Sequence, residues 1–228
     1  MPKTKSNRMG VAVSAEQQER RETGPLTGRG HARRAALLDA ARRVFEERGF
    51  LETRVADIAA EAKVAQGTFY TYFDSKDAIF QAVAARVAGD MIVELGSNRP
   101  LAAATYERTY AATQRFVDSY RRNAKILALI EQVGTFTPEM KRIRLQVREA
   151  HVDRLAQAIA HQQEIGLADD SLDPGLTAEL VGSMVDQVCH VWLNLGHEFD
   201  EAELVHALTV LWLRGAGMKE IVVPARTG

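Results

Sequence analysis

The chain of 228 residues contains one cysteine, Cys189. A single thiol excludes an internal disulfide and most cysteine-based metal frameworks. No apolar run approaches the roughly 20 residues that a membrane-spanning helix needs. A signal-peptide core is missing too, because "MGVAV" is short and charged residues follow it. The sequence has no G-x-S-x-G, no phosphate-cradling glycine loop and no H-E-x-x-H, so nothing points to an enzyme. No cofactor is expected. Internal repeats and convincing strand alternation are absent as well. Together these absences describe a soluble cytoplasmic protein, and 46% hydrophobic residues suffice for a real core.

Net charge is also nearly absent, at −1, but it is unevenly spread. Residues 1–54 hold 12 Lys+Arg and 7 Asp+Glu, whereas residues 81–228 hold 15 and 19. A basic front end on a mildly acidic body suits a polyanion partner for the front end, or a merely solvated tail.

Apolar spacing and chain punctuation predict an all-α fold. Residues 1–28 read as a disordered arm, polar and without periodicity. Helices are expected near 30–48, 54–62, 66–73, 76–95, 102–121, 123–134, 138–165, 175–197 and 201–214. Gly49 is placed to end the first helix in a left-handed cap, and Asp39 is placed to pair with Arg43. Two short helices joined by a tight turn behind a longer one form a helix-turn-helix pattern.

The segment "VAQGTFYTYFDSK", residues 64–76, carries most of the functional information. Wound as a helix, it puts Phe69 and Phe73 on one side, facing the core. Gly67, Thr68 and Thr71 fall opposite, with Tyr70 and Tyr72 at the boundary. The outer face is small, neutral and rich in hydroxyls, which fits a DNA groove. Gly67 permits close backbone approach, while Thr68 and the tyrosine hydroxyls can meet phosphates or bases. Gln66, at the helix start, can read adenine or bond a phosphate. Lys76 adds a cation for the DNA backbone, and Arg29, Arg33 and Arg34 offer more at the start of the first helix.

The stretch "RVADIAAEAKVAQGTFYTYFDSKDAIF" resembles the DNA-binding segment of TetR-type transcriptional repressors. The shared pattern is I-A-x-x-A-x-V-x-x-G-T-x-Y-x-Y-F-x-S-K, and the match covers about residues 33–80. Three positions depart from it. Lys63 stands where the turn usually has Gly, and Ala65 where Ser or Thr usually caps the recognition helix. Arg54 stands where Thr usually opens the second helix, so the cap shifts to Thr53 or Arg54 itself meets a phosphate. The resemblance implies a head over 29–76 and an effector-binding and dimerisation body over 77–228. It further implies a homodimer on a pseudo-palindromic operator, released by a small, mostly hydrophobic effector. A TetR-like DNA adaptor with no small ligand is the alternative.

The family layout places the dimer surface within 175–214, on Leu180, Val188, Val191, Leu195, Val205, Leu208 and Trp212. Pocket candidates come from the middle helices: Tyr106, Tyr110, Phe116, Tyr120, Leu129, Val133, Phe136, Met140 and Met184. Gln132, Arg144, Gln187 and His190 are polar residues beside apolar faces that can orient a ligand. Arg144, Arg148 and His151 flank the stripe Met140, Ile143, Val147. Facing inward, they would suit a carboxylate, phosphate or thioester-linked ligand; the commoner arrangement is a solvated face. Asp186, His190 and Asn194 form one polar line, read as a hydrogen-bonded interface line in preference to a metal site.

Overall fold

A computed structural model of the protein describes residues 28–95, 105–135, 137–219 and 221–223. Side chains at 139, 143, 146, 147 and 150 fall outside that description. So do residues 1–27 of the expected arm and the pocket candidate Phe136.

Among the described residues the fold is helical. Its helices are α1 (Gly28–Glu52), α2 (Val55–Glu61), α3 (Gln66–Tyr72), α4 (Lys76–Glu94), α5 (Tyr106–Gly134), α6 (Pro138–Glu164), α7 (Pro174–Leu193) and α8 (Glu201–Gly215). Their starts are written in the sequence. Ser75 accepts from the Ala78 amide, Thr105 from Arg108, Asp173 from Leu176 and Asp200 from Glu203. Each cap satisfies an amide that the first helical turn leaves without a partner. Pro138 and Pro174 open α6 and α7, where the missing N–H costs nothing.

Two expected boundaries differ. The helices predicted at 102–121 and 123–134 are one continuous helix, α5. No glycine or proline interrupts Arg121–Arg122–Asn123, and the Asn123 side chain donates to the Ser119 carbonyl one turn back, following the helix. The helix predicted to reach residue 197 ends at Leu193, and Asn194 turns its amide to the Ala124 carbonyl of α5.

The head is built on aromatic packing. Phe45 and Phe50 of α1 meet Phe80 of α4, with ring centroids 4.9 and 4.8 Å apart. The cluster does not stop at the head. Leu37, Phe45, Ile58, Phe69, Phe80 and Val83 share one continuous core with Ile126 and Val133 of α5 and Met140 of α6. Head and body therefore meet through apolar contact, not through a linker. Ion pairs decorate the seams, with Arg43 on Glu61, Arg48 on Asp57 and Arg86 on Asp39. Asp39 thus reaches across to α4 and does not pair with Arg43.

Gly49 breaks α1 as expected but by a different geometry. Its φ of 77° and ψ of 169° lie outside the left-handed helical cap, in a region that glycine alone adopts readily. The loosened carbonyls are satisfied locally. The Thr53 hydroxyl donates to the Gly49 carbonyl at 2.6 Å, and the Lys76 amine donates to the carbonyls of Phe50 and Leu51. Lys63, in the turn between α2 and α3, has φ 55°, so the departure from glycine there places a side chain in left-handed backbone.

These two positions make opposite forecasts. A Cβ at Gly49 meets nothing within 4 Å, so only the backbone opposes it. Gly49→Ala should lower unfolding stability by about 1–3 kcal/mol. Lys63→Gly should raise it, by up to about 1 kcal/mol after glycine's own entropy is counted. Denaturant midpoints check both; two shifts of the same sign would refute this account of the backbone.

Candidate nucleic-acid interface and internal cavity

Helix α3 forms as its residues predict. Phe69 and Phe73 are buried, with ring centroids 5.9 Å apart. Gln66, Gly67 and Thr71 are exposed, Thr68 and Tyr72 are half-buried, and Tyr70 is 44% exposed. A Cβ at Gly67 would meet nothing, so the glycine leaves open space above α3. Ala65 precedes the helix without any side-chain cap, as the missing hydroxyl predicts. Thr71 donates to the Gly67 carbonyl at 3.3 Å, which keeps its oxygen lone pairs outward.

Two predicted DNA contacts are corrected by the geometry. Thr53 is only 2% exposed, and its hydroxyl is committed to Gly49. The outward residue at the start of α2 is Arg54, whose amide donates to the Asp57 carboxylate at 3.0 Å while its side chain stays exposed. Lys76 does not project freely either. Its amine caps the end of α1 and sits 4.5 Å from the Phe50 ring centroid. Arg29 and Arg33 are exposed at the start of α1, whereas Arg34 lies over the Phe73 ring at 5.1 Å.

Behind the head lies a cavity of about 410 Å³. Three walls have different chemistry. Helix α4 contributes Ala84, Val87, Ala88, Met91 and Ile92, all apolar. Helix α6 contributes Lys141, Arg144, Arg148 and His151 at helical spacing, together with Leu145 and Val152. Helices α5 and α7 close the space with Phe116, Tyr120, Glu131 and Asp186. Its volume falls within the 300–1,000 Å³ usual for small-molecule sites.

Most of the polar lining is already paired. Arg144 donates to Glu131 at 2.9 Å, and Arg148 donates to Glu179 and Ser183 of α7. The Tyr120 hydroxyl reaches Asn194 at 3.4 Å, and burial pushes its pKa well up. His151 stacks on Phe116, with centroids 5.5 Å apart; burial first, then Arg148, lowers its pKa and favours the neutral ring. Asp186 carries a pKa raised chiefly by burial and eased down by Arg148 and Arg144.

Of the pocket candidates, Phe116, Tyr120 and Arg144 line this cavity. The others do not. Tyr106 bonds His206 at 2.7 Å, and Tyr110 packs in the α5–α7–α8 cluster. Val133 and Met140 are buried in the head-and-body core, with Leu129 packed against it. Met184 packs toward Leu204 and Leu208, Gln132 and Gln187 face outward, and His190 turns to Glu131 at 3.6 Å. Arg148, His151 and Asp186 line the cavity, although a solvated or interface role was the plainer expectation for them. Their signal was the 3/4 spacing on α6 and a lone acid on an apolar helix. On the polar line of α7 and its C-cap, Asp186 faces the cavity, His190 turns to Glu131, and Asn194 bonds Tyr120 and the Ala124 carbonyl.

The candidate dimer surface divides in a similar way. Val205 and Leu208 are buried inside the chain, because α8 turns that face toward α5 and α7. Val188, Val191 and Trp212 are half-buried. Leu180 and Leu195 remain 63% and 67% exposed, and Leu176 and Leu211 join them outside.

Comparison with known proteins agrees with this architecture. Residues 37–83 match the model of the bacterial regulatory proteins of the tetR family. Over those residues the chain is similar to the helix-turn-helix head of TetR-type regulators, and the relatives it matches are transcriptional regulators. The regulator TtgR of Pseudomonas putida is 28% identical over 182 residues, 73% of this chain and 83% of that protein. The fatty acid metabolism regulator protein of Bacillus subtilis is 22% identical over 186 residues, 78% of this chain and 93% of that one. A solved structure of FadR from Bacillus subtilis in complex with stearoyl-CoA superposes with a TM-score of 0.67 at 21% identity. It covers 79% of this chain and 98% of that one. Among the described residues no helix is long and apolar enough to cross a membrane.

The hydroxyl face of α3 can be tested directly. Thr68→Ala and Tyr70→Phe should each weaken binding to an operator duplex, by about 1–3 kcal/mol for a base contact and less for a phosphate. Thr53→Ala should instead lower thermal stability. Fluorescence anisotropy beside thermal melts separates the two effects. Unchanged DNA affinity in both α3 variants would refute the docking face.

Proposed function

We propose that the protein is a repressor released from a pseudo-palindromic operator when a small hydrophobic effector fills the cavity behind its head. One observation carries the reading: α4 is shared. Its Ile79, Phe80 and Val83 belong to the head core, while Ala84, Val87, Ala88 and Met91 line the cavity. An occupant pressing on that wall acts on the helix that holds the DNA-reading head. A ligand moves such an equilibrium only through its differential affinity for the two arrangements. The cavity supports this reading over that of an adaptor without a ligand. FadR of Bacillus subtilis, of the same fold, takes stearoyl-CoA, and an apolar chain is also what the α4 wall here would accept.

The proposed DNA-bound unit is a homodimer, because a palindrome is read by two heads roughly 34–36 Å apart. Its proposed surface is the outer face of α7 and α8, where Leu176, Leu180 and Leu211 stand exposed, with Leu195 in the turn after α7. Exposed leucines on adjacent helices mark a surface that gains by being covered. DNA contact in this reading rests on Arg54, Gln66, Gly67, Thr68, Tyr70, Thr71 and Tyr72, with Arg29 and Arg33 beside the backbone.

Two experiments follow. Ala88→Phe should fill the cavity from the α4 side. Release from a duplex of the region upstream of its own gene should then need at least about tenfold more effector, roughly 1.4 kcal/mol. Binding without effector should stay within about twofold. A normal release response in this variant would remove the cavity from the mechanism. Leu180→Arg with Leu211→Arg should yield a monomer by sedimentation and lower operator affinity by about 100-fold or more, as one head loses the other's tether. A dimer of undiminished stability would place the interface elsewhere.

A further inference from the structure

The cavity's polar groups are not equivalent, and the difference selects a ligand. Arg144 is held by Glu131, and Arg148 by Glu179 and Ser183. Tyr120 donates to Asn194. Asp186 differs: among the described residues no protein donor reaches its carboxylate, although it lines the cavity beside Tyr120, Gly182 and Arg148. A half-buried acceptor without a donor is a standing cost, relieved by whatever brings an N–H or O–H to it.

Charge narrows the choice further. An anionic head at this end would face Asp186 and Glu131. A full cation would meet Arg144, Arg148 and Lys141 on α6. Either carries an opposed pair of interactions in a space of low polarity, where they weigh most. A neutral hydroxyl escapes both. It can donate to Asp186, and its own oxygen can accept from the α6 side. His151, stacked on Phe116 in the same lining, offers a ring nitrogen to the same group. The remaining length of the ligand would lie on the apolar α4 wall.

We infer that the effector is a neutral, hydroxyl-bearing hydrophobic molecule whose O–H donates to Asp186 while its apolar body packs on Ala84, Ala88 and Met91 of α4. The inference rests on the cavity being the effector site, and it adds the head group and the residue that reads it.

Four probes with one chain separate the possibilities: 1-decanol, its methyl ether, decylammonium and decanoate, titrated calorimetrically into the full-length protein. The alcohol should bind about tenfold more tightly than the ether, the worth of one hydrogen bond. It should also outrank the amine and the carboxylate. In Asp186→Leu the alcohol's advantage over the ether should vanish while the ether still binds. Thermal melts confirm that the variant is folded, and Asp186→Asn, which keeps an acceptor oxygen, should retain part of the preference. Equal binding of all four probes would overturn the inference and leave the cavity reading intact. So would an amine or carboxylate that ranks first. If none of the four binds, the cavity is not a site for apolar chains, and both fall.

Discussion

Helix α4 cannot shift without disturbing two packed surfaces. On its first turns Ile79, Phe80 and Val83 are fully or almost fully buried against α1. On its later turns Val87 and Met91 are buried too, yet they also form the cavity wall. The same helix is therefore core on one side and container on the other. Protein interiors are packed at the density of organic crystals, so displaced volume is transmitted and not absorbed. The fused core of head and body follows from this: with Ile126, Ile130 and Val133 in the same cluster, the head is not free to swivel on its own.

The two long walls of the cavity are held in different ways. Helix α6 is tied to α7 by charged hydrogen bonds from Arg148 to Glu179, with Ser183 beside them. Such bonds are directional and resist sliding. Helix α4 meets the cavity with apolar side chains alone, and apolar contact has no preferred angle. In the proposed mechanism the polar wall would be the anvil that meets the head group, and the apolar wall the one that gives way.

Much of this was legible in residues 29–95, because local rules dominate there. Phe69 and Phe73 four apart, a hydroxyl face opposite and Ser75 as a cap each specify their own neighbourhood. Lys63 was legible even as an anomaly, since a left-handed turn is a backbone fact. Thr53 and Lys76 were misassigned because their partners are the Gly49, Phe50 and Leu51 carbonyls, freed by a glycine conformation that spacing does not reveal. The body was harder to read. An aromatic at helical spacing packs equally well on a neighbouring helix or a void, and Tyr106, Tyr110 and Phe116 look alike in sequence. Only the packing of α4 against α6 decides that Phe116 meets the cavity. The buried Val205 and Leu208 show the same limit: α8 is apolar on two sides, and periodicity does not say which side is covered by the chain itself.

The ends of α4 indicate what kind of movement is available. At the start, Ser75 caps the helix and Lys76 grips the end of α1, while Arg86, about halfway along, pairs with Asp39. At the far end, Glu94 accepts from Ser119 at 2.7 Å and is paired with Arg122 of α5. Arg42 of α1 in turn donates to the Arg122 carbonyl, closing a loop through α1, α4 and α5. A rod fixed at both ends and pressed in the middle bows or tilts; it does not translate. Gly89 lies in that middle stretch, exposed, where a glycine lowers the helix's resistance to bending. Bowing moves the first turns of α4 by changing their angle against Phe45 and Phe50, the contact that sets the head's orientation. A small change of angle there is enlarged by the distance to α3. In a dimer it alters the separation of two recognition helices that must enter grooves on one face of the duplex.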